Sequence, residues 1–321
     1  MTKVQKISKN ITPFAGVFFA NDEFNRSGLR KLIDNQLGIR ISTKGYSYGN
    51  LFANFFNLFL SGGECAEDIQ QHLRPTLEQI PGNKVASADT LLRIFSKLAT
   101  ENTAVVSSSK KEYQFNINEK LNNLNIKSLL LAKQLKKDNF YDFDYDNQII
   151  EHEKFDAKKT YKMNTGYFPG VATIGENIVY IENRDGNANV KTAQSETLER
   201  YFKLLNNNKI YINRSRMDAG SYSKEIVEIV DKYSKLFYIR ANKCETLTEK
   251  ILEITDWQTV EINFKEYQAA SIPFTNFFKE KNYRLVVMRE KTADLQLDLF
   301  EGEKFKYCCI LTNDHQPHLI L

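Results

Sequence analysis

The spacing of apolar residues along the chain changes near residue 140, from a pattern typical of helices to one typical of strands. Apolar residues recur every three or four positions in 27–60 and 64–101, and this periodicity predicts helices. Ser61-Gly-Gly63 predicts a break between the two stretches, and Ser87 stands where a helix N-terminus is expected. The first third of the chain is therefore predicted to be a bundle of short helices.

After residue 140 the pattern predicts strands that alternate with helices. In FYDFDYD (140–146), polar and aromatic residues alternate, so the three aspartates share one face of a strand and the aromatic residues share the other. The stretch SETLERYFKLL predicts an amphipathic helix with Ser195 as its N-cap, and SYSKEIVEIVDKY predicts a second helix. The predicted strands cover residues 140–146, 166–174, 178–182, 209–216 and 235–241. The expected order is β-β-β-α-β-α-β, in a protein of the α/β class.

These changes of pattern divide the chain into five predicted segments. They are a helical domain (1–115), a helical linker (116–139), an α/β core (140–241), a β-rich segment (242–312) and a short tail (313–321). The β-rich segment is expected to contain two or three strands that pair with one another.

Charge is distributed unevenly over these segments, although 42% hydrophobic and 26% charged residues are typical of a folded protein. Residues 1–139 carry 19 Lys and Arg against 12 Asp and Glu, whereas the remaining 182 residues carry 25 against 28. This asymmetry predicts an anionic partner for the first part and a carboxylate-containing site in the second. Ordinary surface charge would explain the same asymmetry.

The cysteines and the apolar runs give expectations about the compartment. The four cysteines form no C-x-x-C pair, which favours a reducing compartment and disfavours a zinc ribbon. His315 and His318 form an H-x-x-H pair without other ligands nearby in the sequence. The apolar run at 51–60 is shorter than the roughly 20 residues that a membrane-spanning helix needs. We therefore expect a cytoplasmic protein without a membrane partner.

Candidate chemistry is concentrated in carboxylates at strand ends. Asp218 follows the fourth predicted strand of the core and precedes Ala-Gly-Ser, so it is either a helix cap or a metal ligand on a rigid scaffold. Asp142, Asp144 and Asp146 lie on the first strand, and alternation alone does not choose among them. The order of elements is that of an RNase H-like core, in which the first and fourth strands are neighbours, so these carboxylates can meet at one sheet edge.

Nearly the whole chain resembles one family. The matching stretches are ITPFAGVFF, SGGECAEDIQQHLR, SADTLLR, FDYDNQII, GYFPGVATIG, ENRDGNANVK, RMDAGSYSKEI, FYIRANKC and CILTND. Through them the chain resembles bacterial insertion-sequence DDE transposases, in particular those with a β-rich insertion before the last catalytic helix. The resemblance implies that Asp144 in FDYDN is the first catalytic carboxylate and Asp218 in RMDAGS the second. It also implies that residues 1–115 bind DNA and that residues 242–312 are the insertion.

The resemblance further implies metal-dependent phosphoryl transfer, in which insertion-sequence DNA is cleaved and its strands are transferred. Two Mg²⁺ or Mn²⁺ ions would be held by Asp144 and Asp218. The partners would be double-stranded DNA, with its terminal inverted repeats and target DNA, and a second copy in a homodimer on DNA, associated with the nucleoid. Eight basic residues are candidates for phosphate contacts, with surface ion pairs as the alternative for each: Arg74, Lys84, Arg93, Arg184, Lys191, Arg216, Arg240 and Lys243.

The third acid of the family pattern is missing from its expected place. In the family a Glu follows on a helix after TND, whereas this sequence continues as TNDHQPHLIL without another acidic residue. The departure predicts a truncated copy, in which residues 313–321 are an aberrant tail that replaces the last catalytic helix. Cleavage is then expected to be weak or absent. Glu249 and Glu253 are four apart on a predicted helix and are weak substitutes.

Two other functions remain open at this stage. One is a DNA-binding inhibitor of an intact transposase, without catalysis of its own. The other is an RNase H-like nuclease that acts on RNA–DNA hybrids, in which the basic front part and the β-rich segment would have no role.

Overall fold

A computed structural model describes residues 12–40, 45–242, 245–291 and 305–316, and the chain is of mixed α/β class. The chain divides into two compact units. The first consists of Met1–Glu101 with Asn118–Leu135, and the second of Asn102–Ile117 with Lys136–Leu321.

The first unit is helical in its described residues. Its helices are α1 (Gly16–Arg26), α2 (Leu29–Leu37), α3 (Tyr48–Leu60), α4 (Arg74–Leu77), α5 (Ala88–Ser96) and α6 (Glu119–Leu131), with a π-helical turn at Ile69–Leu73. The short helices expected in the first third are present, and Ser87 caps α5 as predicted by accepting the N–H of Thr90. Apolar side chains of α3 and α5, among them Leu51 and Leu91, are fully buried in the core of this unit.

Two strands lie at the end of the segment that was assigned to the helical domain (1–115). β1 (Thr103–Val106) pairs with β2 (Glu112–Asn116), and β2 pairs with a further strand. All three strands belong to the second unit. Residues 103–116 therefore do not belong to a helical domain ending at 115, and α6 is part of the first unit instead of a linker. The physical reason is the alternation of buried Tyr113 and Phe115 around Gln114, a period-2 pattern too short to stand out in the sequence.

The second unit is built on one large mixed sheet. Its further strands are β3 (Asn139–Asn147), β4 (Ile150–Glu151), β5 (Lys158–Lys159), β6 (Thr165–Tyr167), β7 (Gly170–Ile174), β8 (Asn177–Arg184), β9 (Ile210–Met217), β10 (Ser234–Arg240), β11 (Gln258–Ile262), β12 (Lys265–Phe274), β13 (Tyr283–Lys291) and β14 (Phe305–Thr312). Its helices are α7 (Gln194–Asn207), α8 (Lys224–Tyr233) and α9 (Glu245–Leu252). The sheet order is β1-β2-β8-β7-β3-β9-β10-β14-β13-β12-β11, and β4, β6 and β5 form a separate small sheet.

The centre of the large sheet follows the predicted order of elements. The sequence β3, β7, β8, α7, β9, α8, β10 reproduces β-β-β-α-β-α-β, and β7 with β8 forms the predicted hairpin. β3 and β9 pair in parallel, as do β9 and β10. Because parallel strands end at the same side of a sheet, the carboxyl ends of these three strands share one edge.

The buried face of this sheet packs against α7. Phe143 on β3 is fully buried, and its ring centroid lies 4.8 Å from that of Tyr201 and 5.2 Å from that of Phe202. Burial of one such phenyl ring contributes about 1.5–3 kcal/mol. The predicted cap of α7 is wrong: Ser195 lies inside the helix, which is preceded by Ala193 in the left-handed region with a φ of 47°.

The β-rich segment extends the same sheet. β11 to β14 form four antiparallel strands instead of the two or three expected, and β14 pairs with β10 through Tyr238 and Thr312. No helix in the described part of the chain combines the length and the apolar character needed to cross a lipid bilayer.

Candidate functional site

Charged residues of β3 and β9 face one another in register on the side of the sheet opposite to Phe143. Asp142 pairs with Arg214 and Asp144 with Arg216, and the ladder ends where Tyr145 pairs with Met217. The next positions along the two strands are Asp146 and Asp218, and both line one depression. Side chains alternate along a strand, so two ion pairs are followed on the same face by two acids that line the depression.

The first two aspartates are neutralised by arginine. Asp144 accepts two hydrogen bonds from Arg216, at 2.8 Å from Nε and 2.7 Å from Nη2. Asp142 lies 3.5 Å from Nε of Arg214 and also accepts a hydrogen bond of 3.3 Å from Nδ2 of Asn213. A bidentate guanidinium occupies both oxygens of a carboxylate, so Asp144 is engaged as it stands.

Asp146 has an acidic neighbour instead of a basic one. The pKa of Asp146 is raised overall, first by burial and also by the negative charge of Asp218. The hydrogen bond that its carboxylate accepts from the N–H of Asn147 (2.7 Å) lowers the pKa but does not cancel this increase. A carboxylate whose pKa is raised, with a second carboxylate beside it, is typical of a site that accepts a cation or a proton.

Asp218 has the capping role considered for it in the sequence, and its side chain also lines the depression. Its Oδ1 accepts the N–H of Gly220 at 3.0 Å and so caps a short 3₁₀ turn, Ala219–Ser221. The same side chain lines the depression beside Asp146. A cap bond orients the carboxylate through one oxygen, so capping and metal binding are compatible here.

The turn that carries Asp218 is held by the segment before α7. The buried side chain of Gln194 donates a hydrogen bond of 2.7 Å to Oγ of Ser221, and Lys191 donates one of 3.1 Å to the carbonyl of Tyr222. A Cβ added at Gly220 would lie 3.1 Å from both Oδ1 of Asp218 and Cγ1 of Val190, so these two side chains would have to shift slightly to admit it.

Arg184 anchors that segment from inside the protein. Its guanidinium donates to the carbonyls of Val190 and Thr192, both at 3.3 Å, and to Oγ1 of Thr197 at 2.8 Å, and it lies 4.6 Å from the ring centroid of Phe115. The side chain is 1% exposed. The prediction that Arg184 contacts phosphates is therefore wrong, because a buried guanidinium engaged with three oxygens is out of reach of DNA.

The buried charge of Arg184 is balanced by Glu182. One oxygen of Glu182 lies 3.7 Å from Nη2 of Arg184, and Arg200 donates hydrogen bonds of 3.0 and 2.9 Å to its two oxygens. Tyr180 and Thr197 donate further hydrogen bonds of 3.1 and 2.7 Å to the same carboxylate. Glu182, Arg200 and Gln194 are not among the site residues predicted from the sequence. Their signal was weak, because polar residues in a strand or at a helix start look solvent-exposed.

The depression itself has a volume of about 420 Å³ and lies across four strands of the sheet. Its cationic lining consists of Arg216 and Arg240, and β14 contributes Cys308 and Ile310. Tyr238, which also lines it, donates a hydrogen bond of 2.6 Å to the buried carboxylate of Asp314. Asp144 also lines the depression and is paired with Arg216, so three acids and two arginines lie together at this edge of the sheet.

The remaining basic residues predicted to contact phosphates are spread over both units. Arg240 and Lys191 are exposed in the second unit, whereas Lys243 lies outside the described residues. In the first unit, Arg74 forms an ion pair of 2.8 Å with Glu78, and Lys84 donates a hydrogen bond of 3.1 Å to the carbonyl of Gly45. Arg93 is exposed on α5. Contacts of these exposed residues with phosphate stay predictions.

The substitute acids do not join the site. Glu249 and Glu253 belong to α9 and its end, and Glu253 lines a different depression of about 610 Å³. Neither lines the depression that contains Asp146 and Asp218. Nε2 of His315 lies 2.8 Å from the carbonyl of Asn282, and His318 lies outside the described residues. Within the described ranges, no group of three or more His, Cys, Asp or Glu is arranged to hold a metal ion.

Comparison with known proteins adds nothing to these observations, since no family model and no curated protein matches the chain.

Proposed function

We propose that the chain is a DNA-binding protein of the DDE transposase type, and that its second unit is an RNase H-like core carrying the phosphoryl-transfer site. The observation that carries the proposal is the parallel pairing of β3 with β9, which brings Asp146 beside Asp218 at one sheet edge. The order of elements from β3 to β10 and the two arginines beside the acids support it. Paired carboxylates flanked by cations suit a reaction on a polyanion.

Within this proposal the first catalytic carboxylate is Asp146 instead of Asp144. Asp144 is the choice that the resemblance implies, but both of its oxygens are hydrogen-bonded to Arg216. Asp146 has no such partner among the described residues and has Asp218 as its charged neighbour. We assign Asp144 the role of holding Arg216 at the edge of the depression.

The two acids fit a hard divalent cation. Mg²⁺ prefers oxygen ligands, keeps several waters and is often bound through one or two protein carboxylates together with substrate phosphates. Asp146 and Asp218 would hold it, and when bound it would polarise the scissile phosphate and activate the attacking oxygen. The described residues supply enough carboxylates here for one ion, and a second ion would need a further ligand.

The other residues of the site act on the DNA and on the acids. Arg216 and Arg240 would bind non-bridging phosphate oxygens and so position the backbone, without reading the sequence. The 3₁₀ turn fixes one oxygen of Asp218 through Gly220 and leaves the carboxylate facing the depression. The buried Arg184 and Gln194 keep that turn in place.

A second function, DNA binding without cleavage, is favoured by the position of Glu249 and Glu253. Neither residue lines the depression, and the third carboxylate that does line it, Asp144, is hydrogen-bonded through both oxygens to Arg216. A protein that occupies the inverted repeats would inhibit an intact transposase.

One experiment tests the catalytic proposal and separates it from the alternative. Supercoiled plasmid carrying the inverted repeats is incubated with the full chain and Mn²⁺, and nicking is followed on gels. We expect nicking by the wild type and by Asp144→Asn, and none by Asp146→Asn or Asp218→Asn. DNA binding by all four proteins without any nicking would favour the inhibitor, and turnover restricted to an RNA–DNA hybrid would favour the nuclease.

A further inference from the structure

An arm of about twenty residues (148–168) projects from the end of β3 that carries Asp146. It contains the small sheet β4-β6-β5, and several hydrogen bonds tie its base to the core, among them one of 3.0 Å from the N–H of Phe168 to the carbonyl of Arg184. The N–H of Gln148 donates to the carbonyl of Pro169 at 3.0 Å, and Nδ2 of Asn147 donates to the carbonyl of Phe168 at 3.2 Å. The arm therefore begins two residues after Asp146, close to the acid pair in the sequence.

The tips of the arm present apolar side chains to solvent. Phe155 lies in a turn closed by the hydrogen bond from the N–H of Ala157 to the carbonyl of Lys154 (3.0 Å), and its side chain is 100% exposed. At a second turn, Tyr161 and Met163 are both 69% exposed. A single exposed apolar residue is common on protein surfaces, but three on one short arm indicate a surface that contacts a partner.

The charges of the arm indicate which kind of partner it is. The exposed lysines of the arm are Lys154, Lys158, Lys159 and Lys162. Two of its three acids are engaged within the arm: Asp156 accepts a hydrogen bond of 2.6 Å from Tyr167, and Glu151 accepts one of 2.5 Å from Asn164. The arm thus offers cations around an apolar tip, which is complementary to a polyanion with an apolar interior.

We propose that this arm binds duplex DNA next to the acid pair, with its lysines on phosphates and Phe155 inserted as a wedge at a base step. Apolar wedges of this type partly unstack neighbouring base pairs and bend the duplex, while lysines on the phosphates supply the affinity. The proposal rests on the proposed function, because it takes DNA as the substrate of the neighbouring site. It adds a reason for the duplex to be distorted at the position where it is cut.

The test compares two fully exposed phenylalanines in the full chain. Phe155→Ala removes the wedge, and Phe264→Ala is the matched control, since Phe264 is 99% exposed at the turn between β11 and β12. Neither side chain contributes to a core, so both variants should fold. The probe is a duplex with 2-aminopurine at successive positions, whose fluorescence rises when a base is unstacked. Binding is measured by fluorescence anisotropy over a range of salt concentrations.

We expect wild type and Phe264→Ala to bind alike and to raise the fluorescence at one step. Phe155→Ala should lose that rise and bind roughly 5- to 150-fold more weakly, the range found when a stacked aromatic residue is removed. Phe155→Leu should recover part of the rise and part of the affinity. Replacing Lys158 and Lys159 by Gln should flatten the dependence of log affinity on log salt by about 0.9 for each lost contact.

Other outcomes overturn the proposal in distinguishable ways. Equal binding and equal fluorescence for Phe155→Ala and Phe264→Ala, together with intact nicking, would overturn the proposed role of the arm. The proposed function of the chain would still stand. A change of oligomeric state in Phe155→Ala without any effect on DNA would mean that the arm contacts protein. Failure of the wild type to bind duplex at all would overturn both proposals.

Discussion

Replacing Asp144 by Asn and replacing Asp146 by Asn should change the stability of the second unit in opposite directions. Asp144→Asn removes a bidentate ion pair whose side chains are 40% and 57% exposed, so the loss should be about 0.2–1 kcal/mol. Asp146→Asn removes a negative charge that is disfavoured first by burial and then by the neighbouring Asp218, and its removal should stabilise by a similar ~0.2–1 kcal/mol.

The contribution of Asp146 to the free energy of unfolding should fall as pH rises. Because the pKa of Asp146 is raised in the folded protein, its contribution to stability is full below the ordinary carboxyl pKa and declines as pH rises through the folded value. Asp146→Asn and wild type should therefore be equally stable in acid, and the variant should become the more stable one as pH rises above the carboxyl range. Salt should reduce the difference by screening.

A divalent cation should reverse the order of stability. Mg²⁺ or Mn²⁺ at about a hundred times its dissociation constant should stabilise wild type and Asp144→Asn by about 2.7 kcal/mol. It should have little effect on Asp146→Asn or Asp218→Asn. Urea unfolding followed by fluorescence suits this measurement, because the chain has a single tryptophan, Trp257, which lies in the second unit. Equal destabilisation by both substitutions, or an equal response of both to the cation, would refute the pairing of Asp146 with Asp218.

Three further predictions concern the surroundings of the site and the first unit. Arg184→Leu should lower the free energy of unfolding by roughly 3–5 kcal/mol, because it leaves the buried Glu182 short of one cation, and a loss below about 1 kcal/mol in urea unfolding would contradict this role. Gly220→Ala should destabilise by about 1–3 kcal/mol and weaken Mn²⁺ binding in a calorimetric titration, since the new Cβ would crowd Asp218, whereas unchanged affinity would show that the turn is not needed. Arg93→Gln should reduce the salt dependence of DNA binding by about 0.9 if this exposed residue contacts a phosphate, and an unchanged slope would assign it to the solvated surface.

Much of the fold follows from local patterns that can be read along the chain. The alternation in 140–146 correctly separates the aspartates from Phe143, because neighbouring side chains of a strand point to opposite faces. Ser87 caps its helix as expected, since a hydroxyl before an apolar run satisfies free N–H groups. The order of elements from β3 to β10 likewise follows from the change between helical and strand periods.

Burial of charge could not be predicted in the same way. In the sequence, Arg184 looks like a loop residue at the end of a strand. Only the packing of β2 and of the segment before α7 encloses it. Its partners lie on separate elements, and Phe115 precedes it by about seventy positions. An arginine is rarely buried unless such partners converge on it, and their convergence is a property of the tertiary structure.

The sequence by itself determined that three aspartates share one face of β3 and that Asp218 ends β9. Only the tertiary structure decided which aspartate faces Asp218. The register of β3 with β9 shifts by one residue at Asn213, which has no partner on β3, so Asp144 meets Arg216 and Asp146 comes beside Asp218. Without this shift, Asp144 would face Ser215. Register between strands that lie some seventy residues apart depends on pairing energy and on packing against α7, and neither is encoded in the local pattern.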